Sequence, residues 1–345
     1  MEKCLIAMSG GVDSSVAAML MQQQGYACVG GTMLLHNEGA DPCPDAQRVA
    51  EQLNIPFCAF DCRDAFRGRV MGDFARCYAA GRTPNPCVQC NRHLKFDSLL
   101  KKAMELGCQC LATGHYARVQ YDPGRGRWLL KRALDLTKDQ SYFLYCLTQE
   151  QLSKVRFPLG ELTKPEIRRL AEESGIVTAE KKDSQDICFI PDGDYAEFLR
   201  RFTGMDWTPG DFVDADGRVL GTHRGIIHYT VGQRRGLGIP AAEPLYVIRI
   251  CPEENTVVLG PDSALYSREL TASGVNLIAV DRVGDGLRCM AKIRYRQTPA
   301  PATVTQTDED TLRVVFDEPQ RAITAGQSVV LYQDDLVLGG GVIER

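Results

Sequence analysis

The chain has 345 residues, 44% hydrophobic and 24% charged, with a formal net charge of −4. That length suits two or three domains whose cores need no disulfides. The slight acidity means that any nucleic-acid surface has to come from local clusters of cations. No apolar run approaches the ~20 residues that span a bilayer. The N-terminal MEKCLIAMSGG ends its short apolar run at glycines and does not read as a signal peptide. A cytoplasmic protein is expected, so the 14 cysteines are expected as free thiols, most of them small buried hydrophobes.

KCLIAM is a buried-strand run, and SSVAAMLMQQQG a helix closed by Gly25. ACVGGTMLL is the next strand, and DAQRVAEQL puts Ala46, Val49, Ala50 and Leu53 at helical spacing. TPNPCVQC, Thr83 to Cys90, sets two thiols three residues apart, after a proline-stiffened turn and before a helix. In that helix, NRHLKFDSLLKKAMELG, the apolar face is Phe96, Leu99, Leu100 and Ala103. CLATGHY is a further strand, preceded by a buried-type Cys108 and containing Cys110. This alternation predicts a parallel sheet with helices on both faces. Capping boxes at Thr148/Gln151 and Thr163/Glu166 predict two more helices. Past Gly204, TPGDFVDADGRVLG carries turn signals, PLYVIRI and NTVVLG read as a hairpin, and short strands from about residue 265 suggest a small β-barrel. The expected fold is α/β: a parallel-sheet catalytic domain over 1–203, a β-rich middle domain over 204–264 and a C-terminal β-barrel over 265–345.

Directly after the first strand comes AMSGGVDSSVAAM. Gly10 and Gly11 let the backbone approach an anion, Ser9, Ser14 and Ser15 offer hydroxyls, and the following helix aims its unpaired N–H groups at the loop. It is not a Walker A loop, which needs Gly-Lys-Ser/Thr, and it lacks the third glycine of a dinucleotide fingerprint. Ser-Gly-Gly-Val-Asp-Ser resembles the pyrophosphate loop of the ATP pyrophosphatases, which adenylate an oxygen and release pyrophosphate. Asparagine, NAD and GMP synthetases use similar loops, so the loop alone leaves the acceptor open.

Six further segments, GRTPNPCVQCNRHLKF, LATGHYAR, KDQSYFLY, KKDSQDICFI, HYTVGQRRGLGI and IRYRQTP, resemble the tRNA-specific 2-thiouridylases in order along essentially the whole chain. The resemblance implies ATP-dependent activation of the C2 oxygen of the wobble uridine (position 34) in tRNAs for Lys, Glu and Gln, followed by sulfur transfer. It implies ATP contacts at Ala7, Met8, Ser9, Gly10, Gly11, Val12, Asp13, Ser14, Met33 and Gly114, with Mg²⁺ held mainly by phosphates and water. It implies that Cys188 carries a persulfide and that Cys90 attacks it, leaving a Cys90–Cys188 disulfide for a reductant to reopen. The sulfur donor would be a cysteine desulfurase, a relay protein or free sulfide. On the residues alone, the lysines at 181 and 182 are expected to favour the Cys188 thiolate.

One position departs from the family pattern. Many members have Asp where this chain has Cys87. Cys87, Cys90 and Cys188 together are what a site-differentiated [4Fe–4S] cluster would need, although clusters normally take four thiolates. The competing metal is zinc, with His93 as the nearest extra ligand, but no second CxxC follows.

Among tRNA contacts, MAKIRYRQT is expected to alternate as a strand with Lys292, Arg294 and Arg296 on one face and Ala291, Ile293 and Tyr295 on the other. Arg234 and Arg235 cluster in a glycine-rich loop. The resemblance implies tRNA contacts at Asn85, Pro86, Cys87, His115, Lys138, Asp139, Gln140, Arg294, Tyr295 and Gln327. Two other readings remain at this stage: an ammonia-using, AMP-forming synthetase without tRNA, and a cysteine-rich, metal-sensing RNA-binding protein.

Overall fold

The computed structural model describes residues 1–35, 43–181, 187–284 and 286–344. Its first half is built on five parallel strands in the order Phe57–Asp61, Ala27–Leu34, Lys3–Ala7, Cys110–Thr113, Val155–Arg156. Helices cover both faces. Leu5 and Leu111 pack against Phe96, Leu99 and Val155 on one side, while Cys4, Ile6 and Ala112 pack against Val16, Val49 and Ile167 on the other. A sheet buried on both faces needs continuous apolar runs, which is why KCLIAM and CLAT carry no alternation. The chain steps outward from Lys3–Ala7 to Phe57–Asp61, then returns to the other side of Lys3–Ala7 at Cys110–Thr113. That reversal opens a crevice at the carboxyl ends of the two strands, the place where sheets of this kind bind ligands.

The two capping boxes and the Tyr246–Cys251/Thr256–Gly260 hairpin form as predicted. The thiol pair does not precede a helix but lies within one. Asn85 caps the turn Pro86–Cys90 by accepting from the Val88 N–H at 3.4 Å, and winding continues through a π-helical stretch, Asn91–Ser98, into Leu99–Glu105. Pro86 at the first helical position leaves no N–H unpaired, so the turn starts at little cost.

The middle region is a four-stranded sheet in the order Tyr246–Cys251, Thr256–Gly260, Gly210–Val213, Val219–His223. Its core joins Phe212, Val247 and Leu259 to Leu199 of the helix Tyr195–Thr203 and to Phe74 and Tyr78 of the first half. At the C-terminal end, six strands from Tyr266–Leu277 to Leu336–Ile343 close a barrel, because Tyr266–Leu277 pairs with both Thr311–Arg321 and Leu336–Ile343. The same sheet is extended by a hairpin of the first half, Ala117–Asp122 and Arg127–Arg132, through Lys131 opposite Leu336. No helix among the described residues is long and apolar enough to cross a membrane.

The barrel is therefore not an appended module. Tyr142 and Tyr145, both fully buried, pack in one cluster with Leu5 and Leu111 of the parallel sheet and Val330, Tyr332 and Val337 of the barrel. Each buried tyrosine removes roughly 150–250 Å² from water, an upper limit of about 4–6 kcal/mol apiece. Losing two such sides would approach the whole stability of an ordinary domain. A chain ending at residue 264 is expected to aggregate or bind a hydrophobic dye and to lack a cooperative thermal transition. A cooperative transition at the full-length midpoint would contradict the shared core.

Candidate active site

At the carboxyl end of Lys3–Ala7, the Met8 N–H donates to the Gly31 carbonyl at 2.8 Å and the chain turns into the loop Ser9–Gly11. Gly10 takes φ +72°, and a Cβ there would lie 2.9 Å from Asp45 Cβ and 3.1 Å from Ala46 N. Conformation and space both demand glycine. Gly11 caps the helix Val12–Gln23 without a side-chain hydrogen bond to its first N–H groups, so the positive helix end faces the crevice. Ser14 Oγ accepts from the Ser9 N–H at 3.2 Å and donates to the Gly11 carbonyl at 3.0 Å, while Ser15 Oγ donates to that carbonyl at 2.9 Å. These hydroxyls shape the loop. Met8 and Val12 are buried, so they present backbone rather than side chain to a nucleotide. Met33 is half-buried between the main apolar cluster and the one that holds Cys90.

Gly114 closes the loop from the neighbouring strand. A Cβ on it would lie 2.8 Å from the Asp13 carbonyl carbon and 2.9 Å from Ser14 N. Two residues that sequence reasoning missed, Tyr116 and Lys164, and one that it assigned elsewhere, Lys181, complete this half-site. Asp13 Oδ1 accepts from Tyr116 Oη and from Lys164 Nζ, both at 2.7 Å. Lys181 Nζ donates to the Gly10 carbonyl at 3.1 Å and to Asp45 Oδ2 at 2.8 Å. Lys181 thus serves the phosphate loop rather than Cys188, where the sequence placed it; Lys182 lies outside the described residues. These partners are more than thirty positions away from the loop, and no local spacing marks them.

The thiols form the second half-site. Cys90 is buried among Cys62, Phe66, Val70 and Leu94. Cys87 and Cys188 retain exposed surface. Phe189 fixes the Cys188 end, its ring centroid 5.5 Å from Phe66 and 5.4 Å from Phe74. The three thiols feel one another: negative charge on Cys87 and Cys90 raises the proton affinity of Cys188, and Cys87 does the same to Cys90. Burial is nevertheless the largest cause at each, and it pushes Cys188 up to about 11. Cys87 and Cys188 therefore sit on the floor of a depression, open at the top but walled by protein that displaces water. The expected lowering at Cys188 is reversed, because this crowding outweighs the nearby cation.

That cation is Lys95, whose charge opposes the rise at Cys87, Cys90 and Cys188 alike. The π-helical stretch explains its position. In an α-helix a residue five along lies roughly 140° around the axis. With i→i+5 bonding it lies only roughly 50° around, so Lys95 comes onto the face of Cys90 and Cys87. Lys95 Nζ donates to His115 Nε2 at 3.4 Å, which leaves Nδ1 to carry the proton shared with Thr113 Oγ1 at 2.7 Å. Burial, with Lys95 beside it, holds His115 well below its ordinary pKa, so the imidazole is neutral. Among the described residues no group of three or more His, Cys, Asp or Glu side chains is placed to hold a metal ion. The three thiols share a depression without forming a ligand set, and His93, half-buried beside Arg92 and Arg69, joins none.

The predicted tRNA residues divide. Asn85 and Pro86 start the thiol helix. The Tyr295 ring lies 4.4 Å from that of Phe143 between centroids, tilted by 39°, and is close enough to feel the charge of Cys87. The basic strand face, however, does not exist. The strand ends at Lys292, which is buried with its ammonium 5.8 Å from the Tyr142 ring and 5.4 Å from that of Tyr295. Arg294 lies in the turn beyond, its Nη2 donating to Thr324 Oγ1 at 2.6 Å and to the Ala322 carbonyl at 3.0 Å; only Arg296 of the three cations is exposed. Asp139 is also buried, accepting from Ala133 N and Ser141 Oγ at 3.0 and 2.9 Å. Its carboxylate shapes the turn and does not face outward. Gln140 Oε1 accepts from the Tyr116 N–H at 3.0 Å, Lys138 is half-buried, and Gln327 Nε2 donates to the carbonyls of Thr83 and Pro84 at 3.0 and 3.1 Å. Arg234 and Arg235 stand exposed in their loop.

Family models match along the chain: one described as a tRNA methyl transferase HUP domain at residues 2–192, one as a tRNA methyl transferase PRC-barrel domain at 196–261, and one as an aminomethyltransferase beta-barrel domain at 267–343. The chain is 47% identical over 355 residues to a tRNA-specific 2-thiouridylase of Clostridioides difficile, covering 100% of this chain and 98% of that one. It is 48% identical over 357 residues to the enzyme so named from Carboxydothermus hydrogenoformans (100% and 98% covered), and 47% over 356 residues to that of Acetivibrio thermocellus (99% of each). The model descriptions speak of methyl transfer and the full-length relatives of thiolation; three thiols at the crevice suit the second.

The electrostatics of the depression set a pH dependence. Thiolate supply at Cys188 should grow with pH through the alkaline range toward about 11, and removing the Lys95 charge should move that rise to still higher pH. Iodoacetamide alkylation of Cys188, followed by peptide mass spectrometry, should at pH 8 be about 3–10-fold slower in Lys95→Met than in the wild type. Equal rates would show that Lys95 does not act on the thiols.

Proposed function

The chain belongs to the tRNA-specific 2-thiouridylase family, and from that premise we propose that it uses ATP to replace the C2 oxygen of the tRNA wobble uridine with sulfur. The observation that carries this reading is the junction at Gly114 and His115. These consecutive residues touch the two half-sites, Gly114 packed close to Asp13 and Ser14 of the phosphate loop and His115 accepting from Lys95, whose charge acts on the thiols. One uracil bound there would meet an α-phosphate on one side and a sulfur nucleophile on the other.

In the first step the uracil O2 attacks the α-phosphorus of ATP. The α–β anhydride bond breaks, pyrophosphate leaves, and an O2-adenylate forms. The uncapped end of Val12–Gln23 and Lys164 and Lys181 beside it would hold the phosphates, and Mg²⁺ would be carried chiefly by phosphate oxygens and water. In the second step Cys188 bears a persulfide delivered by a desulfurase or relay protein, which its exposure permits. The Cys90 thiolate attacks the Cys188 sulfur, expelling hydrosulfide and forming the Cys90–Cys188 disulfide. Hydrosulfide adds to C2 and AMP departs with the former oxygen. A two-electron thiol reductant then reopens the disulfide, a requirement that suits the cytoplasm. Asn85, Pro86, His115 and Tyr295 would line the uridine, with Arg234, Arg235, Arg296 and Lys138 toward the RNA backbone.

The three-thiol iron–sulfur route is outside this scheme because the thiols, as placed, make no ligand set. Anaerobically purified protein with about four irons and four sulfides per chain, both lost in Cys87→Ala together with thiolation, would replace the persulfide route.

Cys90→Ala and Cys188→Ala should each reduce 2-thiouridine formation to background, while the dissociation constant for tRNA stays within about twofold of wild type. Mass spectrometry of digested tRNA beside filter binding reads both. Normal thiolation by either variant would remove that cysteine from the mechanism.

A further inference from the structure

The helix that carries Cys87 and Cys90 is held at its entrance from outside its own domain. The approach, Thr83-Pro84-Asn85-Pro86, contains two residues without an N–H, so it cannot be tied down by an ordinary ladder. Its anchors come from a turn of the barrel. The Thr83 N–H donates to the Ala325 carbonyl at 2.9 Å, and Gln327 Nε2 donates to the carbonyls of Thr83 and Pro84 at 3.0 and 3.1 Å. Between them, Gly326 takes φ +88°, and a Cβ on it would lie 2.8 Å from the Thr83 carbonyl oxygen and 3.1 Å from Thr83 N. That close backbone contact admits only glycine.

The barrel turn is itself pinned. The Gly326 N–H donates to the Ile343 carbonyl and the Ile343 N–H to that of Gln327, both at 2.8 Å, while Thr324 Oγ1 accepts from Arg294 at 2.6 Å. Arg294 precedes Tyr295, the residue beside Cys87. A continuous set of short contacts therefore runs from Arg294 through Thr324 and Gln327 to Thr83, Pro84 and the first turn of the thiol helix.

We infer that Gln327 is a positioning residue for Cys90, fixing the start of the Cys87–Cys90 turn through the carbonyls of Thr83 and Pro84. Its amide N–H groups are spent on those two carbonyls, and its side chain is half-buried between the domains. A displacement of the turn by about 1 Å is enough to cost a reaction up to roughly a hundredfold. The inference rests on the reading of Cys90 as the attacking thiol only for its catalytic consequence; the latch itself does not.

The test uses the full-length chain with Gln327→Met, which keeps the length but removes the donor, and Gln327→Glu, which turns a carboxylate toward two carbonyls. Gly326→Ala is the independent variant that forces the same contact apart. The expected result is about a tenfold or larger fall in kcat for thiolation at saturating tRNA. Amide hydrogen exchange should be faster at Thr83 and Cys87–Asn91 and unchanged in the barrel strands. Weaker tRNA binding with unchanged kcat and unchanged exchange would overturn the inference and leave Gln327 with an RNA-binding role alone. Faster exchange with normal kcat would overturn it too, since the latch would then not matter to the reaction. Loss of exchange protection throughout the barrel in Gln327→Met would likewise overturn it, showing a fold defect rather than a latch. Should Cys90→Ala prove active, the exchange measurement still decides the latch, so the two failures are told apart.

Discussion

A thiol that is buried for protection resists the ionisation that makes it reactive, and the site is arranged around that conflict. Burial raises Cys87, Cys90 and Cys188 together, and each thiolate formed makes the next harder to form. The structure answers with one ammonium rather than several. Lys95 acts on all three, and its partner His115 is kept neutral, so no second positive charge competes for solvation in the depression. The answer required a change of helical winding, because α-helical spacing would have turned Lys95 away from Cys90. A persulfide or hydrosulfide arriving beside Lys95 would meet the same charge, so the ammonium is useful at every stage that carries negative sulfur.

The nucleotide half has the opposite need, since the charge it must balance comes with the ligand. Its resident carboxylate, Asp13, is already held by Tyr116 and Lys164, and its second lysine, Lys181, by Asp45. Both lysines are thus fixed before any phosphate arrives, which removes the entropy of ordering them from the cost of binding. The crevice between Lys3–Ala7 and Cys110–Thr113 supplies the common wall. Because Gly114 and His115 are adjacent, neither half-site can shift without moving the strand end that braces the other.

What the sequence disclosed is what is local. The phosphate loop, two capping boxes, the hairpin at Tyr246–Gly260 and the apolar face from Phe96 to Ala103 depend on residues within a few positions of one another. The family resemblance located the thiols that the structure gathers, but it carried no information about their ionisation. Lys95 was invisible because its usefulness depends on π winding that no spacing rule announces. Tyr116, Lys164 and Lys181 reach the loop over separations of about a hundred positions or more. The basic strand misled for a related reason: alternation says which residues share a face, but not where a strand stops, and this one stops at Lys292. Lys292 at its end is buried, and Arg294 in the turn beyond is bonded internally instead of facing solvent.

The same observations show that polar residues assigned to a binding surface can also have partners within the protein. Asp139, Lys292, Arg294 and Gln327 are each held by a specific partner. Burying an unpaired charge costs several kcal/mol, so each of these side chains must be matched where it sits. Matched groups are stiff, and stiffness is what a two-step reaction at one uracil requires: the O2-adenylate must survive until sulfur reaches C2. Residues that touch RNA can stay exposed until RNA orders them, and Arg234, Arg235 and Arg296 are exposed. Residues that hold the chemistry together cannot. An internally satisfied polar group and an exposed cation are therefore suited to different work.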